Sequence, residues 1–236
     1  MAALEDSSFG RLIGVLVSPG KTFRSIAGRP TWGVALAVLL LVSAGVGLLA
    51  GQRTDYRDMI TRSVRDSGRQ IPPEALERQI GMMEKAGPYF SALGAPVFIV
   101  LLSLISALLY WVFFKLLGGD FSFKSGFSVT LHAAMPAVVS LLLSLPVILS
   151  RPRLGYDDLK TGSFLQSNLA FLAPQNAPNW LLALYASADF FALWSLVLSI
   201  IGYRAISRLS TQAVATTVVI ITLLFVAVRV GLASFR

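Results

Sequence analysis

Two charges lie inside apolar runs of this chain, and they are the residues best placed to do chemistry. Asp189 sits within SADFFALWSL, and no other charge occurs from residue 179 to residue 203. Arg229 is the one charge within the last apolar run, residues 212–235. A carboxylate at the centre of a membrane helix costs about 2.5–3.5 kcal/mol on insertion scales, so it needs a partner or a function. On a continuous helix over residues 179–203, Asp189 would stand about 15 Å from the start, close to the bilayer midplane. Tyr185, Ala188, Asp189, Ala192, Ser195, Ser199 and Gly202 then form one small or polar stripe, with Phe190, Trp194, Val197 and Ile201 opposite. This pattern turns Asp189 towards the bundle and the bulky face towards lipid.

A short link joins the last two runs, so their helices should be antiparallel neighbours. Counted from the outer surface they share, opposite that link, Arg229 would lie about 10 Å deep and Asp189 about 15 Å, an offset that a guanidinium can bridge. Thr222, two turns before Arg229 on the same face, would join such a network. Three readings are open. The pair is an ion pair that fixes helix register, or it lines a polar cavity that binds a headgroup, an ion or a proton. In the third, the two do not pair: Arg229 snorkels to the interface, and Asp189 is protonated or hydrogen-bonded to a serine.

Other chemistry is thin. His132, the sole histidine, falls about one turn inside the third apolar run beside Pro136, and reads as a hydrogen-bonding or interfacial residue. A metal site would need more ligands, and the chain has neither a second histidine nor any cysteine. There is no HExxH, nucleophile elbow or P-loop. Gly118-Gly119-Asp120 reads as a turn, and Asp157-Asp158 as solvated acids on a polar loop. No catalytic constellation emerges, so the expectation is a protein that is not an enzyme and uses no cofactor or metal.

The composition says what must position these residues. The chain has 236 residues, 55% hydrophobic and 14% charged, with mean hydropathy +0.71. Soluble domains carry about 25% charged residues, and a bilayer core needs about 20 apolar residues per helix. Five such runs are expected to span, at residues 31–51, 91–114, 128–150, 179–203 and 212–235, giving an all-α integral membrane protein. The net charge of +8 is spread over the loops without a run of five basic residues, which suits anionic headgroups rather than nucleic acid.

Outside the spans, residues 1–30 form an amphipathic interfacial segment. Phe9, Leu12, Ile13, Leu16 and Val17 share one helical face, Pro19-Gly20 breaks it, and Lys21 and Arg24 flank Phe23 and Ile26. A cap packed on the bundle is the alternative for this segment. Residues 52–89 predict two amphipathic loop helices, the second opened by Pro72-Pro73-Glu74. Gly45, Gly47 and Gly51 would allow close helix contact, and Pro136 and Pro146 predict a kinked third helix. With the N-terminus inside, the outer loops would carry the larger count of Lys and Arg. Charge alone therefore does not support that orientation.

Three stretches carry a resemblance: SPGKTFRSIAGRPTWGVAL, LGGDFSFKSGFSV and ADFFALWSLVLSIIGYRAIS. In this order they resemble the bacterial branch of the Yip family, five-pass membrane proteins named for the eukaryotic Ypt/Rab-GTPase interaction. Pro19, Phe23, Pro30, Gly118, Gly119, Phe123, Phe190, Trp194 and Gly202 are the motif positions. The resemblance implies five helices, a cytoplasmic N-terminus and residence in a bacterial inner (plasma) membrane. The chain lacks the long polar N-terminal region of the eukaryotic members, so Rab-type GTPase binding is not carried over.

The expected function is non-catalytic: binding of membrane lipids, of partner membrane proteins or of further copies of itself, in membrane organisation or a trafficking-like role. The alternative is a small transporter or channel-like protein with a polar intramembrane site. That site would comprise Asp189, Arg229, Tyr185, Ser195, Thr222 and His132.

Overall fold

The computed structural model describes residues 7–160, 164–174 and 176–235; the first six residues of the expected N-terminal segment lie outside it. Helices α1 (Ser8–Val17) and α2 (Pro19–Gly28) come first, followed by α3 (Gly33–Arg53), α4 (Tyr56–Asp66) and α5 (Pro73–Leu116). Then follow α6 (Phe123–Ala133), α7 (Met135–Ser150), α8 (Tyr156–Lys160), a 3₁₀ turn at Leu169–Leu172, α9 (Asn179–Ser187), α10 (Phe190–Ser207) and α11 (Thr211–Ser234). Five segments are long and apolar enough to cross a membrane: α3, α5, the α6–α7 pair, α10 and α11.

The N-terminal helices are a cap on one end of the bundle. Ser18 breaks the chain between α1 and α2, and Pro19 takes the first helical position, where its missing N–H costs nothing. A Cβ on Gly14 would lie 2.6 Å from the Thr22 hydroxyl, so only glycine lets the two helices cross so closely. Arg11, buried on the inner face of α1, donates to the Arg29 carbonyl at 2.8 Å and to the Ser25 and Thr31 hydroxyls at 3.0 Å. That places a cation on the C-terminal end of α2, where the helix dipole favours it. Phe23 and Ile26 of α2 are completely buried against the bundle.

Small residues set the tightest contact between spans. A Cβ on Gly47 would meet the Ser91 carbonyl oxygen at 2.5 Å, and one on Gly51 would meet the Pro88 Cα at 2.7 Å. These two glycines, four residues apart, bring the backbones of α3 and α5 together. Gly45 meets nothing within 4 Å and takes no part.

Two spans differ from the sequence expectation. The second predicted loop helix and the second span are one helix, α5, of 44 residues. At 1.5 Å per residue it is about 66 Å long, against a hydrocarbon core of about 30 Å. Its N-terminal part stands clear of the membrane and packs on α4, where Arg57 pairs with Glu77 at 2.7 Å. Pro88 lies inside this helix without ending it. The fourth span is broken instead: α9 ends at Ser187, α10 begins at Phe190, and only α10 qualifies as spanning. The third span is interrupted at Ala134, one residue before Met135-Pro136, so the kink falls where the proline places it.

At the end opposite the N-terminal cap, the loop after α7 folds back onto α3 and α4. Leu154, fully buried, exchanges backbone hydrogen bonds with Arg53 and Asp55 at 2.7 and 2.8 Å. Of the acids expected to be solvated, Asp157 is exposed and Asp158 is half-buried, and both have partners. Asp157 accepts from Arg62 at 2.7 Å, and Asp158 accepts from the Gly155 amide at 2.9 Å and pairs with Arg151. The Tyr156 amide, ahead of the Arg62 guanidinium, holds the Asp58 carboxyl below the usual carboxylate range.

Candidate functional site

Asp189 is not a mid-helix acid. It is the N-cap of α10, with extended backbone, and one carboxylate oxygen accepts from the Phe191 and Ala192 amides at 2.9 and 3.1 Å. The other oxygen accepts the Ser167 hydroxyl. These are the orphan N–H groups that every helix start leaves unpaired, and an aspartate is among the best residues to receive them.

The backbone around the break is satisfied by a distant loop. The Phe190 amide donates to the Ser167 carbonyl at 2.9 Å, and the Leu169 amide donates to the Ala188 carbonyl at 3.3 Å, closing an antiparallel bridge between Asn168 and Asp189. Asn168 is buried, and its side chain accepts from the Ala170 amide at 3.0 Å, which starts the 3₁₀ turn. Non-helical backbone near membrane depth requires such protein partners.

Arg229 is exposed on α11, and among the described residues no ion pair joins it to Asp189. Eighteen residues separate Arg229 from Thr211, and eighteen separate Asp189 from Ser207. Both therefore stand about 27 Å from the common link. The depths match, but the directions do not: the carboxylate is spent on its own helix and on Ser167. The first reading, an ion pair that fixes register, is corrected accordingly. The geometry is that of the third, with a serine as the acid's partner.

The other candidates are scattered. Thr222 lies beside the Tyr110 hydroxyl, across the α5–α11 contact. Tyr185 is half-buried on α9, and its carbonyl accepts the Ala188 amide at the helix break. Ser195 is half-buried on α10, and its carbonyl accepts the Ser199 hydroxyl at 2.8 Å. His132, 1% exposed, donates from Nδ1 to the Ser128 carbonyl at 2.8 Å, at the end of the bundle that Arg11 caps. The expected stripe on α10 holds in part. Gly202 is buried, and Phe190 and Val197 are exposed, but Ala192 is exposed as well.

The structure draws attention to Tyr203, Tyr110 and Thr130, which the sequence did not, and gives several motif positions a contact. Tyr203, fully buried, packs its ring 4.5 Å from that of Tyr110, and its hydroxyl lies 2.7 Å from that of Thr130. Gly202 receives Phe23: a Cβ there would stand 2.5 Å from Val129 and 2.9 Å from the Phe23 ring. Of the motif positions, Phe23 and Gly202 are thus one contact, which seats the N-terminal cap on α10. Gly118 has φ +83° and ends α5, while Gly119 donates to the Phe114 carbonyl at 2.8 Å, so the glycine pair is a helix stop.

Five apolar spanning segments, a broken fourth helix and a helical cap define an all-α integral membrane protein. The chain belongs to the Yip1 domain family, whose model matches residues 13–232. It is similar to "Membrane protein YknW" of Bacillus subtilis (strain 168), with 27% identity over 205 residues, covering 86% of this chain and 80% of the relative. No solved structure matches it.

Proposed function

We propose that this chain works without catalysis, as a membrane protein that binds lipids or partner membrane proteins through its N-terminal cap, in a bacterial inner membrane with the N-terminus cytoplasmic. The observation that carries this reading is the double-sided character of α1. Arg11, Leu12 and Val15 are buried against the bundle, while Phe9, Ile13 and Val17 are 68%, 66% and 73% exposed. Three large apolar side chains on successive turns, held outward by an anchored inner face, are arranged to enter a headgroup layer or a partner's apolar groove. Arg24 and Arg29 are exposed on and just after α2, and they favour an anionic surface. The bonding of the Asp189 carboxylate to its own helix start and to Ser167 favours this reading over a small transporter.

The native chain has no cysteine, so Ile13→Cys gives one attachment point for a nitroxide. In vesicles containing phosphatidylglycerol, the label should collide readily with oxygen and poorly with a water-soluble nickel chelate. A label as open to nickel as a free aqueous nitroxide would overturn the lipid-facing cap.

A further inference from the structure

A cleft lies where α3 and α5 emerge from the bundle beneath α4. Its volume is about 450 Å³, within the roughly 300–1,000 Å³ usual for small-molecule sites. Gly47, Gly51 and Gly87 line its narrow side; the first two sit in the α3–α5 seam, and Gly87 lies under the Tyr56 ring. Met59, Met83 and Phe164 wall its outer half, and Phe90 and Ala95 its mouth.

Its polar groups are already committed to the protein. The Thr54 hydroxyl donates to the Ala50 carbonyl at 2.9 Å, and the Tyr56 hydroxyl donates to the Gly51 carbonyl at 3.0 Å. Asp158 is held by the Gly155 amide and Arg151. Ser91 lies beside the Tyr56 hydroxyl. An incoming polar solute would lose its hydration and meet groups bonded elsewhere, a net cost. A hydrocarbon chain loses nothing of the kind, and two flexible thioethers can mould to it.

The cleft is also continuous with the lipid-facing surface. Phe90 and Ala95 are exposed as well as lining it, and they begin the strip of α5 that continues through the exposed Val97, Phe98 and Leu101. Met59 and Met83, by contrast, stand on the extramembrane helix α4 and the projecting part of α5.

We propose that this cleft holds one acyl chain of a bilayer phospholipid, drawn up out of its leaflet along the α3–α5 seam beneath α4. This rests on the reading that the protein binds lipids, and it assigns that binding a second place, away from the N-terminal cap. The full chain is reconstituted in phosphatidylcholine vesicles doped with a phosphatidylcholine that carries a diazirine at the end of one acyl chain. It is then irradiated and its adducts are mapped by mass spectrometry. Chain ends of ordinary bilayer lipids reach exposed mid-span residues such as Leu104 and Leu223, which serve as internal standards. Adducts at Met59 or Met83 are expected in addition, because only a chain drawn into the cleft carries its end there. Met83→Trp, which fills the cleft, should reduce Met59 adducts about tenfold, the factor set by 1.4 kcal/mol, with mid-span labelling unchanged. Ala95→Phe, at the exposed mouth, should do the same and provides the answer if the tryptophan variant does not fold. Adducts confined to mid-span residues, or Met59 adducts unaffected by both variants, would overturn the proposal. The nitroxide at Ile13 reports on the cap independently, so a dry cleft with a lipid-facing cap removes this inference alone.

Discussion

Phe23→Ala should destabilise the protein by about 3–5 kcal/mol, the range for deleting a fully buried aromatic ring. Phe23 has no exposed surface, and its ring fills the space over Gly202 that any larger residue on α10 would occupy. Nothing else on α2 can fill that volume. Ile26 is buried in the same cluster, and Thr22 already packs on Gly14 of α1. The loss should appear in chemical denaturation of the purified protein and as earlier proteolytic cleavage between α2 and α3. An unchanged denaturation midpoint would mean that the N-terminal cap is not seated on the bundle. Gly202→Leu should mimic the phenotype from the other partner, since the new side chain must expel the ring.

The second large effect is expected at the α3–α5 seam. Gly51→Val sets a branched side chain where a Cβ alone would come within 2.7 Å of the Pro88 Cα and 3.1 Å of the Ser91 Cβ. Backbone, unlike the end of a flexible side chain, cannot step aside, so the helices must separate. Overpacking of this kind costs about 1–3 kcal/mol, and here it also loosens the ring of Tyr56, which lies on Gly87, the residue next to Pro88. Gly45→Ala is the matched control. With open space around it, this change should be neutral or stabilise by up to about 1 kcal/mol through helix propensity. Equal behaviour of the two variants would place the seam elsewhere.

Much of the fold was legible because the determinants are local. Apolar runs of spanning length mark the helices, the glycine pair after Leu117 marks a turn, and of the two prolines expected to kink the third helix Pro136 does so while Pro146 lies inside α7. The double nature of the N-terminal segment was legible only as two alternatives. In the structure, the buried face of α1 caps the bundle while Phe9, Ile13 and Val17 remain outside. Periodicity gives the faces of a helix but not what each one meets.

The fourth span shows where reading the sequence fails. Residues 179–203 contain no glycine before Gly202 and no proline or other charge, so the run reads as one helix with an acid at its centre. A local signal did exist: an aspartate directly before Phe-Phe-Ala-Leu-Trp is a capping residue in front of an apolar helix. What makes the break affordable is not local. The backbone groups freed at residues 188–190 are met by residues 167–169, about twenty positions upstream in a polar loop. The pairing with Arg229 failed for the same reason. Depth can be counted along a helix, but the direction in which a carboxylate is used depends on that loop.

The most direct test of this reading is a double-mutant cycle at Asp189 and Arg229, measured as unfolding free energy in one detergent. Asp189→Ala should cost about 1 kcal/mol, as lost N-caps do, and Asp189→Asn much less, because an amide oxygen caps nearly as well. Arg229→Ala should be close to neutral and additive with either, leaving a coupling below about 0.5 kcal/mol. A coupling well above 1 kcal/mol, with the asparagine variant as damaged as the alanine, would show the acid to be the counter-ion of Arg229 and would contradict its assignment as a helix cap.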